Sequence, residues 1–173
     1  HGGGAITHNL FIYDYTITDG VELKASYVPS GLAGAVEGST EYGIKYTGID
    51  GLTVYAAMGE NNDAAAGIDN VNFAAIYTAG AMSVVFQNND VDHATSNSDR
   101  DATMIGVSYA VSDDLSVSLN TSTIDFEATT KDDQEATGVS FSYTSGGMTI
   151  SGSHHQVDNV GGTATADNTG YEV

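Results

Sequence analysis

Several residue types are scarce or missing in this sequence, and each shortage excludes a class of protein. There is no cysteine, so disulfide frameworks, thiolate metal sites and cysteine nucleophiles are excluded. Four lysine and arginine residues stand against 23 aspartate and glutamate residues, for a formal charge of -19, which argues against nucleic acid as a partner. No apolar run reaches about eighteen residues, which excludes a transmembrane helix.

The residues that are abundant favour β-structure. One proline, no tryptophan, 21 glycines and 10 tyrosines, together with much threonine, serine and valine, are typical of strands joined by tight turns. No window of ten or more residues repeats apolar side chains at helical spacing. The sequence therefore predicts a single all-β domain over residues 1–173.

Tight turns alternate with longer connections along the chain. Short turns are predicted at 19–20, 49–51, 79–80, 112–114 and 145–147, and longer polar segments at 30–38, 60–69, 89–101, 125–134 and 157–168. In an antiparallel up-and-down meander, successive connections emerge at opposite ends of the sheet. The short turns should therefore lie at one end of the sheet and the acidic loops at the other. The negative charge of these loops predicts that cations are enriched at that end.

Each predicted strand has one apolar and one polar face, because side chains alternate along a strand. The polar faces carry small hydroxyls and amides, which suits a narrow, water-filled interior. Aromatic residues recur near the ends of the apolar stripes, as in the girdles of membrane barrels, at Tyr13, Tyr27, Tyr46, Tyr77, Phe86, Tyr109 and Tyr143. A transmembrane barrel is predicted, with Leu23, Val54, Val117 and Phe141 facing outward. A soluble β-sandwich would alternate in the same way.

Three hairpins carry a resemblance to a known family. They are "YDYTITDGVELKASYVP" (13–29), "EYGIKYTGIDGLTVYAAMGENND" (41–63) and "ATMIGVSYAVSDDLSVSLNTS" (102–122). The chain resembles a Gram-negative outer-membrane porin of the general diffusion type, and alphaproteobacterial members look most similar. The resemblance implies a barrel of about sixteen strands with short periplasmic turns and long external loops. It also implies an incomplete barrel, in which 6–18 is the sixth strand and "TGYEV" begins the last.

The same resemblance implies a function. It is passive diffusion of small hydrophilic solutes and ions across the bacterial outer membrane, without catalysis. The implied partners are outer-membrane lipid and two further copies of the chain in a homotrimer. The alternative from the residues alone is a secreted or surface β-sandwich adhesin whose acidic loops bind a partner or calcium.

Five charged residues are predicted to line the pore: Asp14, Glu22, Lys24, Glu41 and Lys45. The two lysines are the only cations within the predicted strands, and both fall on the polar face of neighbouring strands. In the family that the chain resembles, such residues face acidic groups across the lumen and create a transverse field. The alternative is that the lysines offset Glu22 and Glu41 across the strands.

Acidic side chains in the long segments offer the oxygen ligands that Ca²⁺ prefers. The predicted ligands are Asp90, Asp92, Asp99 and Asp101, with further acidic groups at 60–63 and 132–135. No segment has the spacing of an EF-hand or of a glycine-rich calcium repeat, so the alternative is a solvated acidic rim. His154 and His155 are adjacent on a strand, point to opposite faces and cannot chelate one ion together.

Overall fold

The computed structural model describes residues 11–29, 38–61 and 67–173, which form one antiparallel sheet of 11 strands. The strands are β1 (Phe11–Thr18), β2 (Val21–Val28), β3 (Ser39–Ile49), β4 (Leu52–Asn61), β5 (Ile68–Ala79), β6 (Met82–His93), β7 (Arg100–Ala110), β8 (Leu115–Phe126), β9 (Gln134–Ser145), β10 (Met148–Asp158) and β11 (Asn168–Glu172). Each strand pairs with its neighbours in sequence throughout. The predicted all-β, up-and-down meander is confirmed.

Non-strand structure is sparse in the described ranges. A single 3-10 turn, Val160–Gly162, lies in the connection between β10 and β11. Within these ranges, no helix has the length and apolar character needed to cross a bilayer. The predicted strand residues 6–10 and the connecting residues 30–37 and 62–66 lie outside the part of the chain that the structure describes.

Several strands extend further toward the long connections than the sequence predicts. β6 continues to His93 and β7 begins at Arg100, so only residues 94–99 remain of the predicted loop 89–101. In the same way, β8 and β9 reduce the predicted loop 125–134 to residues 127–133. The loop prediction was wrong at these boundaries because backbone hydrogen bonds hold the ladder together whether or not the side chains are apolar.

The strands are staggered by a constant amount from one hairpin to the next. One row of directly opposite residues runs through Tyr77, Val84, Val107, Leu119, Val139 and His154. On the same face, the short turn after β5 lies one residue pair below this row, the turn after β7 two pairs below, and the turn after β9 three pairs below. Each hairpin therefore adds a shift of two residues, which is one residue per strand.

This stagger gives the strand tilt. A shift of one residue, about 3.3 Å, for each inter-strand step of about 4.8 Å corresponds to a tilt of about 35°. Strands in closed barrels are typically tilted by about 35–45°. The short turns therefore lie at one level when the strands are inclined as they are in a barrel wall.

The sheet has one apolar face and one polar face, and the apolar face is not covered. Leu23, Val54, Val117 and Phe141 share the apolar face, on which Val117 is 38% and Phe141 43% exposed. Across the described residues, Val91 is the only buried apolar side chain. A β-sandwich packs its apolar stripes between two sheets. The described residues form one sheet, so these stripes do not form such a core.

Candidate functional site

The five predicted pore-lining residues lie together on the polar face of β1, β2 and β3. Asp14 is directly opposite Lys24, and Glu22 is directly opposite Lys45. Glu41 lies opposite Ser26. Because all five alternate with the apolar stripe, their side chains project from the other side of the sheet.

Each lysine is paired with a carboxylate on the adjacent strand. Lys24 Nζ lies 3.0 Å from Asp14 Oδ1, and Lys45 Nζ lies 3.6 Å from Glu22 Oε1. Glu41 Oε2 instead accepts a hydrogen bond from Ser26 Oγ at 3.0 Å, and it has no cationic partner among the described residues. The neutralisation across strands that the sequence suggested is present, but Lys24 pairs with Asp14 rather than with Glu41.

Small hydroxyl side chains form a continuous row on the polar face from β5 to β10. This hydroxyl row consists of Thr78, Ser83, Ser108, Ser118, Ser140 and Ser153, each directly opposite the next. Hydrogen bonds join Thr78 Oγ1 to Ser83 Oγ at 2.8 Å and Ser118 Oγ to Ser140 Oγ at 2.7 Å. Each hydroxyl can donate and accept, so the row presents both kinds of hydrogen-bonding group.

The hydroxyl row borders a broad concavity on the described sheet. This open cavity of about 880 Å³ is lined by Ser83, Ser108, Ser118, Ser140 and Ser153, among others. Smaller grooves of about 260 and 360 Å³ lie between aromatic and other side chains on the apolar face. The broad hollow of the sheet is therefore on its polar side, as expected of a barrel wall whose interior is wet.

Beside the hydroxyl row, larger side chains lie flat over glycines of the next strand. A Cβ atom placed on Gly138 would lie 2.5 Å from Asn120 Oδ1, and one on Gly106 would lie 2.9 Å from Val85 Cγ1. Asn120 is directly opposite both glycines. Only glycine leaves room for these side chains to lie along the wall, so they do not project into the hollow.

A row of tyrosines marks the short-turn end of the apolar face. Every strand that runs down into a short turn carries a tyrosine one residue pair above the last pair of its hairpin: Tyr15, Tyr46, Tyr77, Tyr109 and Tyr143. Tyr13, Tyr27 and Phe86, which were also predicted in a girdle, lie further from the turns. Tyr15 was absent from the predicted girdle. A sequence pattern could have identified it, because a tyrosine followed by Thr or Ala occurs shortly before each short turn.

A row of carboxylates marks the opposite end of the same face. This carboxylate row contains one residue on each strand from β5 to β10: Asp69, Asp92, Asp101, Asp125, Glu135 and Asp158. Each lies ten residues from the last pair of its hairpin, which is Ala79–Met82, Val111–Leu115 or Ser145–Met148. The sequence prediction missed the row because it assigned most of these residues to loops.

The two rows enclose a band of defined height. From β5 to β10, the tyrosine and carboxylate positions are eight residues apart along the strand. With a rise of about 3.3 Å per residue and a tilt of about 35°, the rows are separated by about 22 Å across the band. The apolar band of outer-membrane barrels is about 25 Å tall. The height of the band therefore matches the thickness of that layer. Its upper part carries threonines on β7, β8 and β9, Asn88 and Asp90 on β6, and His154 and Gln156 on β10.

The structure moves most of the predicted calcium ligands out of a loop. Asp90, Asp92 and Asp101 lie on strands, and their side chains are on the apolar face. Both Asp101 carboxylate oxygens accept hydrogen bonds from Asn88 Nδ2 at 3.0 Å, whereas Asp99 Oδ1 accepts one from the backbone N–H of His93 at 2.7 Å. Asn62 and Asp63 lie outside the described residues.

No group of three or more histidine and acidic side chains in the described ranges is arranged to hold a metal ion. Asp90 and Asp101 are directly opposite each other, as are Asp101 and Asp125, so the acidic residues form a line across strands. Calcium binding stays a prediction, and this geometry gives it no added support. His154 and His155 lie on opposite faces, as predicted.

Comparisons with known proteins agree with this geometry. A family model described as Gram-negative porin matches residues 2–135. The fold is similar to that of a porin refined at 1.8 Å resolution, with a TM-score of 0.70, 19% sequence identity and coverage of 89% of this chain and 57% of the porin. It is also similar to OmpT of Vibrio cholerae lacking loop L8, an outer membrane protein, with a TM-score of 0.65, 22% identity and coverage of 94% and 60%.

The chain thus spans less than two thirds of the length of either solved structure. No curated protein sequence matches the chain closely enough to define a relative. At these identities, the two structures establish the fold, which is the antiparallel wall of an outer-membrane barrel.

The depth of the apolar band predicts how arginine substitutions will affect stability. Val139 lies near the middle of the band and Glu135 in the carboxylate row, on the same strand and the same face. We expect Val139→Arg to lower the free energy of unfolding in lipid vesicles by about 2–4 kcal/mol, and Glu135→Arg by about 0–1 kcal/mol. Urea titration of the full-length protein measures both. Equal costs at the two positions would contradict the assigned depth.

Proposed function

The chain belongs to the Gram-negative porin family, and we propose that it forms part of the wall of a passive diffusion channel in the bacterial outer membrane. Small hydrophilic solutes and ions pass along the polar face and are driven only by their concentration gradients. No bond is made or broken. The activity, the solutes and the assembly are those of the whole barrel, of which the described residues supply 11 strands.

The observation that carries this proposal is the division of chemistry between the two faces. The polar face borders the concavity and carries the hydroxyl row and the charged residues of β1–β3. The apolar face carries a band of about 22 Å between its tyrosine and carboxylate rows. Water can occupy the first face while lipid covers the second, which is the arrangement that a channel wall requires.

No observation favours the alternative of a β-sandwich adhesin. That architecture would place Val117 and Phe141 between two packed sheets. In the described residues both side chains are exposed on one face of a single sheet. The proposal therefore contains one function, with no catalytic step.

The proposal includes assembly as a homotrimer, and an aromatic patch at mid-height supports a protein contact. This patch consists of Phe11, Tyr13, Tyr27 and Tyr42 on the apolar face of β1, β2 and β3, two or three pairs above the short turns. All four side chains are exposed, and the rings of Phe11 and Tyr27 stack with centroids 6.5 Å apart. Aromatic residues are enriched in the cores of protein interfaces.

The tyrosine hydroxyls of this patch support the interpretation that protein, rather than lipid, covers it. The side-chain hydroxyls of Tyr13, Tyr27 and Tyr42 form no hydrogen bond with another residue of the described ranges. At mid-height they would sit in hydrocarbon, where an unpaired hydroxyl costs about 1–3 kcal/mol on mutational scales. A neighbouring copy of the chain can supply the missing acceptors.

Removing these hydroxyls distinguishes the two surroundings. We expect Tyr13→Phe with Tyr42→Phe to lower the temperature at which the oligomer dissociates in mild detergent, because hydrogen bonds across the interface are lost. Tyr77→Phe with Tyr109→Phe is the matched control, since those hydroxyls lie at the interfacial tyrosine row, and it should leave that temperature unchanged. Gel electrophoresis of samples heated stepwise measures the transition. An unchanged or raised temperature for the first pair would show that the patch faces lipid.

Reconstitution tests the channel function itself. We expect the full-length protein to produce stepwise, ohmic conductance in planar bilayers and to make liposomes permeable to small sugars at rates that fall with solute size. The wet interior of a barrel predicts both results. A folded protein, heat-modifiable on gels, that inserts into bilayers but conducts no ions and passes no sugar would contradict the proposal.

A further inference from the structure

We propose, on the basis of the channel function above, that this part of the wall selects neutral hydroxylated solutes over ions and that the hydroxyl row is the surface these solutes contact. Two independent observations support this selectivity. One is the separation of charge between the two faces of the sheet, and the other is the chemistry of the row.

The acidic residues of β5–β10 all lie on the face away from the hollow. These strands contain Asp69, Asp90, Asp92, Asp101, Asp125, Glu135 and Asp158, and each shares its face with the apolar band. On the polar face of the same strands, Arg100 is the one permanent charge. The polar face of β5–β10, which borders the hollow, therefore carries little of the chain's negative charge.

On the remaining strands, the charges of the polar face largely cancel. Asp14 is paired with Lys24 and Glu22 with Lys45. Among the described strands, the polar-face charges left without an ion-pair partner are Glu41, Arg100 and, on β11, Glu172. A wall with so little net charge creates a weak average field, so it neither concentrates nor repels ions strongly.

This distribution differs from the cation enrichment that the sequence suggested. That expectation placed Asp90, Asp92 and Asp101 in a loop at the mouth. Asp92 and Asp101 instead lie in the carboxylate row at the upper edge of the membrane band, and Asp90 lies one residue pair below that row, all three on the outer face of strands. Charges on the far side of the wall are separated from the lumen by the sheet and are screened by salt within about 8–10 Å. Their effect on ions in the lumen is therefore small.

The hydroxyl row gives a neutral solute partners along a continuous path. Its five steps from Thr78 to Ser153 span about 24 Å at an inter-strand spacing of about 4.8 Å. Because the row is perpendicular to strands tilted by about 35°, it climbs about 14 Å through the wall. A polyhydroxylated solute that loses bound water in the lumen can replace its hydrogen bonds to water by hydrogen bonds to successive serines. Each serine hydroxyl can both donate and accept. An ion of either sign gains less from neutral hydroxyls.

Matched substitutions on the two faces test the role of the row in the full-length protein. The test variant is Ser108→Ala, Ser118→Ala and Ser140→Ala, and the control is Thr121→Val, Thr123→Val and Thr137→Val on the apolar face. The probe is a neutral monosaccharide, with its liposome permeation divided by the conductance in potassium chloride. We expect the test variant to lower this ratio by about two- to tenfold, the factor that corresponds to one net hydrogen bond, and the control to leave it unchanged. An equal ratio in both variants would overturn the assignment.

A second measurement, the reversal potential, tests the charge distribution. Only one of its variants changes the hydroxyl row, and that variant replaces a single serine. We expect Asp92→Asn with Asp125→Asn to leave the reversal potential under a potassium chloride gradient unchanged, and Ser118→Asp to shift it toward cations. A shift in the double variant as large as that in Ser118→Asp would show that the outer carboxylates act on the lumen, and the inference would fail. If the unmodified protein showed no conductance at all, that result would instead contradict the proposed channel function.

Discussion

The unbroken antiparallel ladder is the constraint on which the rest of the structure depends. Each strand takes its register from backbone hydrogen bonds to both neighbours, and a slip of one residue would exchange the two faces of that strand. Because the ladder keeps register from β1 to β11, Lys24 on one strand and Ser153 eight strands away project from the same side. A barrel wall has no packed core that would disfavour such a slip. The register alone therefore keeps the polar side chains on one face and the apolar side chains on the other.

The constant stagger turns separate residues into functional levels. With a shift of one residue per strand, residues at equal distance from the short turns lie at equal height. Tyr77, Tyr109 and Tyr143 thereby form one belt, and Asp69, Asp101 and Glu135 another. The hydroxyl row follows the hydrogen-bonding direction instead, so it crosses these levels at an incline. The same tilt thus fixes both the depth of the wall in lipid and the slope of its polar path.

Local sequence patterns predicted the meander, its short turns and its two faces, because glycine-containing turns and period-two alternation are local signals. They did not predict where the strands end. Asp90 and Asp101 were assigned to a loop because strand residues on the outer face were expected to be apolar. Both lie on strands, Asp101 in the carboxylate row at the upper edge of the membrane band and Asp90 one residue pair below that row. Local patterns also did not predict the ion pair between Lys24 and Asp14 or the alignment of the six hydroxyls, because both depend on the register between strands. The constant ten-residue interval from turn to carboxylate was present in the sequence and could have been found.

The most direct test of the two-faced wall is site-directed spin labelling at adjacent positions of β8 in the full-length protein in bilayers. A nitroxide at Leu119 is predicted to collide mainly with lipid-soluble oxygen, and one at Ser118 mainly with a water-soluble nickel complex, because the two side chains project from opposite faces. The alternation should continue through Val117 and Asn120. Low accessibility to both reagents at Leu119, as in a packed core, or nickel accessibility at Leu119 equal to that at Ser118, would contradict the account.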